Sequence, residues 1–478
     1  MIRRLTVIFM IIAACVAAIV LPNDNATDTP PIFSAATRLG TPSIRQDERV
    51  ITRTWLCAGS AASGPSSDGE YGGEVVVTNP TDAPITGVVT ILTTEQDPVR
   101  EEIVVEARSQ LTVDIDALAS ARYASSYVEV SDSAASVEQR AIHPAGSAVS
   151  PCSNSTSSEW YFADGFTAES SEFRILLTNP YLTPAILNIG VSTEKGFRSP
   201  QNLDGYVIPP QSIRVLNIAD AGFRDEKILA ISVNASAGQI VASKEQHFLG
   251  AGRLGYVLAL GSPSMSDQWW FADGDKGTGM TETFMIFNPS DEQVSANVLI
   301  LGLEDAVAPP ATTLTIPAHD VVSFNTSALV GMPEGLHGAV ISSQSGDNLV
   351  VERILTRPAG TSVVTSVVLG GQKGTRSMRW SVPTSIEIAL KDALVVLNTS
   401  SADALVTVIS VGPGGEEPVP GLIDIPLVAN GIISIDLLDD LTLGRSLEIV
   451  GTQNLLVERR LKRSPTLGGR SGSLAIPG

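Results

Sequence analysis

Two nearly identical hexapeptides, WYFADG at residues 160–165 and WWFADG at residues 269–274, decide how this sequence is interpreted. Each begins with a tryptophan, and two more tryptophans, Trp55 and Trp380, continue the series at spacings of 105, 109 and 111 residues. A period of this length indicates a structural unit that was copied along the chain. The hexapeptide therefore marks the beginning of a repeated unit.

Three further markers repeat with the same period. One apolar strand ends at an asparagine, a second strand ends near an acidic or amide residue, and a third carries a glutamate. In chain order the markers are Asn79, Asn179, Asn288 and Asn398; Asp114, Asn217, Asn325 and Asp436; and Glu138, Glu245, Glu352 and Glu458. Together with Trp55 and Trp380, where the rest of the hexapeptide has diverged, they predict four homologous units of about 107 residues.

The composition of each unit predicts the fold class. Short runs rich in Val, Ile, Thr and Phe alternate with turn residues, as in ETFMIFN, ATTLTIPA and DVVSFNT of the third unit. Seven or eight antiparallel strands per unit are typical of a β-sandwich of immunoglobulin-like size. We therefore predict an all-β fold of four tandem β-sandwich repeats, at 54–159, 160–268, 269–379 and 380–478. Short linkers predict that neighbouring units touch, as a rod or a compact array.

The markers also have local interpretations. Proline after asparagine must end a strand, and asparagine tolerates turn geometry. The acidic or amide marker fits the cap of a short helical turn. In a strand, Trp160, Phe162 and Asp164 share one face while Tyr161 and Ala163 share the other. Aromatic rings on both faces predict a first strand wedged between its own sandwich and the preceding unit.

The N-terminus carries an export signal. Arg3 and Arg4 precede an apolar run from Leu5 to Leu21, which as a helix spans about 26 Å and is slightly short of a ~30 Å hydrocarbon core. Residues 1–21 are a signal anchor that holds the chain in the membrane, a cleaved signal peptide, or a lipoprotein signal modified at Cys15. All three alternatives export the rest of the chain. Residues 22–53 then form a polar stalk.

Export determines how the cysteines are interpreted. With Cys15 in the targeting segment, Cys57 and Cys152 remain as the single pair. Disulfides persist in oxidising compartments outside the cytoplasm. We therefore predict a disulfide bond between Cys57 and Cys152.

Charge and motifs exclude several function classes. The formal net charge of −20 repels nucleic acid and anionic lipid headgroups, so we expect no nucleic-acid partner. The four histidines form no metal-binding motif, and the segment 250–255, although it fits GxGxxG, lies between strand-like runs and opens no helix. We expect no metal, no cofactor and no enzymatic activity.

The repeated glutamates are the most prominent polar feature. Glu352 and Arg353 sit among large apolar residues, so one of the two must point towards a packed face. We expect the glutamates to be structural, each accepting hydrogen bonds near the first strand of its own unit, because an unpaired buried carboxylate would cost several kcal/mol. The rival interpretation is a catalytic carboxylate pair as in glycosidases, but nothing in the sequence pairs two of these acids.

The hexapeptides allow a second interpretation. Exposed aromatic rings beside a carboxylate can stack on sugar rings, and the candidate ligand-binding residues are then Trp160, Tyr161, Asp164, Trp269, Trp270 and Asp273. Packing is the simpler explanation, because tryptophan is the one hexapeptide residue that all four units retain. Burial of an aromatic ring stabilises a domain by about 1.5–3 kcal/mol.

The hexapeptide, the strand ending in NP and the later VER strand together resemble the repeated W-Y-F-A-E-G units of DUF5719, a family of unknown function. The resemblance covers roughly residues 54–478 and is strongest in units two and three; Asp164 and Asp273 stand where the family usually has glutamate. It implies an exported, envelope-associated protein of actinobacteria, and no reaction.

These observations predict a function class. We expect an extracytoplasmic, membrane-tethered structural or interaction protein of the cell envelope, held by its N-terminal helix. The alternative is a carbohydrate-binding accessory protein that acts on envelope glycan. Envelope polysaccharide and other envelope proteins are the partners that these interpretations favour, and the oligomeric state stays open.

Overall fold

A computed structural model of the chain describes residues 53–62, 71–132, 134–303, 308–346, 348–384, 392–437, 442, 444–464 and 466–478. The predicted signal segment at 1–21, with Cys15, and the predicted stalk apart from Arg53 lie outside the described residues. Within these ranges no helix is both long enough and apolar enough to cross a membrane.

The described residues form four successive groups of strands, which we call modules 1 to 4. Module 1 comprises β1 (Arg53–Ala61), β2 (Gly72–Asn79), β3 (Ile85–Thr93), β4 (Val99–Val105), β5 (Ser109–Asp114), helix α1 (Ile115–Leu118), β6 (Tyr123–Val130), β7 (Ser136–Ile142) and β8 (Ala148–Pro151). Module 2 comprises β9 (Glu159–Gly165), β10 (Glu172–Asn179), β11 (Ala185–Thr193), β12 (Gly196–Arg198), β13 (Tyr206–Ile208), β14 (Ser212–Asn217), β15 (Leu229–Ala237), β16 (Val241–Gly250) and β17 (Arg253–Leu260), with 3-10 turns at Ala168–Ser170 and Gln201–Leu203.

The second half of the chain repeats this order. Module 3 comprises β18 (Gln268–Lys276), β19 (Thr281–Asn288), β20 (Val294–Leu301), β21 (Thr312–Ile316), β22 (Asp320–Asn325), β23 (Gly335–Ser343), β24 (Val350–Ala359), β25 (Ser362–Leu369) and β26 (Gly371–Gln372), with 3-10 turns at Thr326–Ala328 and Lys373–Thr375. Module 4 comprises β27 (Ser377–Pro383), β28 (Ala393–Asn398), β29 (Ala404–Gly412), β30 (Gly415–Pro418), β31 (Ile425–Leu427), β32 (Ile432–Asp436), β33 (Ser446–Lys462), β34 (Arg470–Leu474) and β35 (Ile476–Pro477).

Each module packs two antiparallel layers face to face. In module 1 the layers have the strand orders β1-β6-β3-β4 and β5-β2-β7-β8, and modules 2 and 3 repeat both orders with their own strands. In module 4 the 17-residue strand β33 runs through both layers and joins them into one nine-stranded sheet. The predicted all-β fold of four tandem sandwich repeats is confirmed.

The marker tryptophans lie at the centres of the cores. Trp55, Trp160, Trp269 and Trp380 each have 0% exposed surface and belong to four different hydrophobic clusters. Two of the ring nitrogens make equivalent hydrogen bonds: Nε1 of Trp160 donates to the carbonyl of Ile240 at 3.0 Å, and Nε1 of Trp269 donates to that of Leu349 at 2.9 Å. The tryptophan that opens each repeat is therefore a packing residue.

The asparagine marker joins three parts of each module. Nδ2 of Asn288 donates to the carbonyls of Glu292, Ile316 and Pro317 at 2.7, 3.2 and 3.0 Å, and Oδ1 accepts the N–H of Ser290 at 3.1 Å. Asn79, Asn179 and Asn398 make the same four kinds of contact. The side chain thus satisfies buried backbone groups that the turn leaves unpaired, a role that goes beyond the predicted turn tolerance.

The predicted cap is present at three of the markers; for the fourth, Asp436, the N–H two positions further on lies outside the described residues. Asp114, Asn217 and Asn325 each accept the backbone N–H two residues further on, at 2.9, 3.0 and 2.9 Å. Asp436, the fourth marker, is the last residue of β32. The carboxylate or amide oxygen at these positions satisfies an N–H group that begins a turn.

The four modules close into a ring. The last long strands β8, β17, β25 and β34 meet in its centre, and β34 of module 4 also contacts β8 of module 1. The N–H of Ser147 donates to the carbonyl of Arg463 at 2.7 Å, and Ile476 enters the core of module 1. Equivalent segments of the four strands, 149–151, 258–260, 367–369 and 472–474, line a central cavity of about 30 Å³, room for a water molecule or two.

Candidate functional site

The first strand of each module contributes to two cores. Trp160 and Phe162 of β9 pack in the core of module 2, whereas Tyr161 and Ala163 point the other way into the core of module 3. Trp270 and Ala272 of β18 lie in the core of module 4 in the same manner. As predicted, the first strand lies between two sandwiches. The second sandwich belongs to the following module, however, so the prediction that it belongs to the preceding module is wrong.

A β-bulge interrupts the hexapeptide. In β9 the residues 163–164 lie opposite one residue of β15, because Phe162 pairs with Ile231 and Gly165 pairs with Leu229. The same interruption occurs in β18 after Phe271 and in β1 after Cys57. A bulge leaves backbone groups without ladder partners and turns them outwards. The Ala-Asp pair of the hexapeptide therefore offers free N–H groups to a neighbour.

The repeated glutamates, which we call the junction glutamates, accept hydrogen bonds from the first strands. Oε2 of Glu352 accepts the N–H of Asp164 at 2.5 Å, and Oε1 of Glu458 accepts that of Ala272 at 2.6 Å. Glu245 accepts the N–H of Ala61, just beyond the bulge of β1, at 2.5 Å. Each bond crosses to the preceding module, so the expectation that a glutamate serves the first strand of its own unit is wrong.

In modules 1 and 2, the hydrogen bond to the first strand of the same module is made by the glutamine that follows the junction glutamate. Oε1 of Gln246 accepts the N–H of Phe166 at 3.1 Å, and Oε1 of Gln139 accepts the N–H of Gly59 at 3.0 Å. Neighbouring side chains point to opposite faces of a strand, so the glutamine reaches its own sandwich while the glutamate faces the junction. The glutamates accept backbone hydrogen bonds, as predicted, but from the first strand of the preceding module.

A cation accompanies three of the four junction glutamates. Nη2 of Arg353 lies 2.6 Å from Oε2 of Glu458, and Nη1 of Arg459 lies 2.6 Å from Oε2 of Glu138. At the junction of modules 2 and 3, Nζ of Lys244 lies 2.8 Å from Oε1 of Glu352. We call Lys244, Arg353 and Arg459 the junction cations; all of these side chains are at most 2% exposed.

Glu352 and Arg353 are therefore both buried, at 1% exposure each. The sequence predicted that at least one of the two side chains faces a packed surface, and the structure shows that both do. Glu352 faces module 2, where it pairs with Lys244, and Arg353 reaches Glu458 of module 4. Both faces of strand β24 are therefore covered.

Glu245 is the exception among the junction glutamates. Its Oε1 also accepts the hydroxyl of Tyr256 at 2.8 Å, and no cation pairs with it among the described residues. Burial raises the pKa of Glu245, and hydrogen bonds from Ala61 and Tyr256 only partly oppose this. Burial likewise raises the pKa of Glu352, against the opposing charge of Lys244. A carboxyl without water is more easily protonated.

The aspartates of the hexapeptide are bound by arginines. Oδ1 of Asp164 lies 3.2 Å from Nη1 of Arg253, and Oδ1 of Asp273 lies 2.8 Å from Nη2 of Arg357 and 2.7 Å from Nε of Arg460. Burial would raise the pKa of Asp273, but the surrounding arginines outweigh it and hold that pKa below the usual value. The pair with Arg460 crosses from module 3 to module 4.

The candidate ligand-binding residues are not at the surface. Their exposed fractions lie between 0% and 7% for Trp160, Tyr161, Asp164, Trp269, Trp270 and Asp273. A sugar ring needs an open aromatic face, and packing against two sandwiches covers both faces of these strands. The structure thus gives the six residues roles inside and between modules.

A cluster that the repeat pattern did not reveal lies between modules 1 and 2. The ring of His143 stacks on Tyr256 with 4.2 Å between centroids, and His247 approaches it at 4.7 Å. The two histidines follow their glutamates at different offsets, so alignment of the repeats does not bring them together. Burial, then the charge of His247, lowers the pKa of His143 to about 3.

The cysteines are joined as predicted. Cys57 of β1 and Cys152, just after β8, form a disulfide bond whose Cα atoms are 4.5 Å apart. Cys57 occupies the hexapeptide position of Phe162, so a covalent bond replaces an aromatic contact in module 1. Across the described ranges no group of three His, Cys, Asp or Glu side chains is arranged to hold a metal ion.

The comparisons with known proteins give a family. The model of DUF5719, a family of unknown function, matches residues 252–448, and no curated protein matches the chain. The crystal structure of a tetra-tandem repeat in the extending region of a large adhesion protein has 13% sequence identity and covers 84% of this chain and 95% of that chain. Its TM-score is 0.11, so the similarity carries no argument. The predicted resemblance is confirmed for residues 252–448, which match the model of this family.

Proposed function

We propose that this protein is an extracytoplasmic structural and interaction protein of the cell envelope, tethered to the membrane by its N-terminal segment and without catalytic activity. The ring of modules acts as a rigid scaffold that presents its outer strands and loops to other envelope components.

The observation that carries this proposal is the use of the repeated polar residues. Glu138, Glu352 and Glu458 are buried and paired with a cation of another module, and Glu245 is hydrogen-bonded across a junction. A catalytic carboxylate must reach substrate from a cleft, whereas these are sealed between sandwiches. Buried polar groups that bond to each other across a junction specify one arrangement of the modules.

The disulfide supports the location. Cys57 and Cys152 are bonded, which indicates an oxidising compartment outside the cytoplasm. The Arg3-Arg4 pair and the apolar run that follows supply the signal for export and for a membrane anchor. The alternative of a carbohydrate-binding protein loses its support, because its candidate residues are buried.

Fractionation of cells tests the proposal. The full chain with a C-terminal epitope should be recovered in the membrane fraction of an actinobacterial host, accessible to protease added outside the membrane, with Cys57 and Cys152 oxidised. The matched control lacks residues 5–21 and should stay in the cytoplasm with both thiols reduced. Recovery of the full chain in the cytoplasm with free thiols would refute the proposed location and role.

A further inference from the structure

The junction between modules 2 and 3 differs chemically from its neighbours. Its cation is Lys244 of β16, whereas Arg353 and Arg459 occupy the equivalent role elsewhere. Arginine stays protonated in proteins, but a buried lysine can lose its proton and then becomes a nucleophilic amine. Lys244 is 0% exposed and its partner Glu352 is 1% exposed. Here a potential nucleophile and a carboxyl group are enclosed together.

The contact between them is unusually direct. Nζ of Lys244 lies 2.8 Å from Oε1 of Glu352 and donates a hydrogen bond to the carbonyl of Asp164 at 2.8 Å. The amine is therefore positioned directly beside the carboxyl group of the adjacent module. Bound groups in near-contact react as if their concentration were very high.

The other carboxyl oxygen is held by a backbone donor. The N–H of Asp164, in the bulge of β9, donates to Oε2 of Glu352 at 2.5 Å. A donor at this place polarises the carboxyl group and stabilises the negative charge that develops on its oxygen when a nucleophile adds to Cδ. The carboxylate of Asp164 is itself paired with Arg253, at 3.2 Å.

The closed surroundings favour the neutral form of the carboxyl group. A carboxylate is costly in a site without water, and burial raises the pKa of Glu352. A neutral acid is also a better acceptor for a nucleophile than a carboxylate.

We propose that Lys244 and Glu352 condense into an isopeptide bond that links module 2 covalently to module 3. Nζ attacks Cδ of Glu352, and a bond forms between nitrogen and carbon. Oε1 leaves as water, carrying the acid proton and one proton from the nitrogen, while Oε2 remains as the amide oxygen on the N–H of Asp164. The balance is one amine and one carboxylic acid to one amide and one water. No oxidant, reductant or cofactor takes part.

The bond would add a side-chain cross-link to a junction that the backbone already spans. The known cross-link, Cys57–Cys152, lies within module 1, whereas Lys244 and Glu352 belong to β16 and β24 of adjacent modules. This inference goes beyond the scaffold role, because the ring and its function do not require the amide. If the cross-link is absent, the proposed location and role are unaffected.

Peptide mapping of the full chain tests the proposal. The folded protein is denatured, reduced and digested with trypsin, and its peptides are measured by mass spectrometry. We expect the peptide that contains Lys244 to be joined to the peptide that contains Glu352, with the loss of one water molecule and with no cleavage after Lys244. The Lys244→Arg variant should yield the two peptides separately, and so should Glu352→Ala.

The control is Lys276→Arg. Lys276 donates to the carbonyl of Met332 within module 3, and its replacement should leave the cross-linked peptide in place. Complete cleavage after Lys244 in wild-type protein, with both peptides at their unmodified masses, would overturn the proposal, even if the variants do not fold. A loss of water that persists at another site in Lys244→Arg would overturn the assignment to this pair.

Discussion

Glu138 and Arg459 form a buried ion pair across 321 residues of sequence, with 2.6 Å between Oε2 and Nη1. It joins module 1 to module 4, the one junction of the ring that no linker spans. Arg459 also donates to the carbonyl of Pro383 at 2.7 Å and to the carboxylate of Asp392 at 3.2 Å. The first and last modules are thus held together by an ion pair whose side chains are each 2% exposed.

Removal of one partner from this pair should destabilise the protein. In Glu138→Ala the guanidinium of Arg459 stays buried without its main counter-charge, and loss of one partner of a buried pair costs about 3–5 kcal/mol. The measurement is urea unfolding followed by intrinsic fluorescence. Glu129→Ala is the control, because Glu129 pairs with Arg100 at the surface at 3.5 Å; it should change stability by no more than about 1 kcal/mol. Equal effects of both variants would contradict a closed junction.

The asparagine marker should also be sensitive to substitution. Asn288→Ala removes the donor to three carbonyls, of which that of Ile316 is buried and those of Glu292 and Pro317 are partly buried. Because a buried group left unsatisfied costs roughly 1–3 kcal/mol, we expect a loss of about 1–3 kcal/mol in the unfolding free energy. Asn297→Ala is the control, since Asn297 bonds only exposed side chains of the same sheet, Thr313 and Gln344. A loss below that of the control would show that the bridge is dispensable.

The disulfide should stabilise module 1 through the denatured state. The bond closes a separation of 95 residues, for which the chain-entropy model gives about 4–5 kcal/mol. The double variant Cys57→Ser/Cys152→Ser should lose stability of this order in calorimetry, in a transition assigned to module 1. Wild-type protein treated with reductant should reproduce the loss. Unchanged unfolding in both cases would contradict the predicted contribution.

Acid should weaken the junction of modules 1 and 2 through His143. The pKa of His143 is lowered by burial from 6.5 to about 3, and its Nδ1 accepts the N–H of Ala145 at 3.0 Å. Its ring faces Tyr71, His247 and Tyr256, with Arg174 nearby. Between about pH 6.5 and about pH 3 the unfolded chain binds a proton at this histidine and the folded chain does not. Stability therefore falls as pH falls through this window.

Replacement of the histidine isolates this effect. His143→Gln should show a flatter decline in unfolding free energy than wild type across the same pH range. His319→Gln, at an exposed site paired with Asp291, should follow the wild-type profile. A His143→Gln profile parallel to that of wild type would exclude His143 as the acid-sensitive group.

The sequence revealed the copies but not how they join. Gln246 and Phe166 are 80 residues apart and bond within a module, whereas Asp164 and Glu352 are 188 residues apart and bond between modules. The two separations differ by one repeat, so a periodic pattern fits either pairing equally well. The bulge at residues 163–164, which turns the N–H of Asp164 towards the next module, carries no signal beyond the Ala-Asp pair itself. Lys244 comes directly before Glu245 in the sequence, whereas Arg353 comes directly after Glu352. The junction cations therefore do not align when the repeats are superimposed.

Burial was the other point that the sequence left open. The sequence favours packing for Trp160 and Trp269 and keeps ligand binding as the alternative, because both uses need aromatic rings. The neighbouring module decides between them by covering the second face of each first strand. The disulfide could be predicted from the sequence, because the two cysteines that follow residue 21 allow a single pairing.

An engineered disulfide between modules 1 and 4 tests the closed ring most directly. The hydroxyl oxygens of Ser136 and Ser381 are 3.4 Å apart and both residues are fully buried. The double variant Ser136→Cys/Ser381→Cys should form a second intrachain disulfide in the monomer, seen as faster migration on a non-reducing gel and as a linked peptide. Free thiols at both positions in correctly folded protein would contradict the ring.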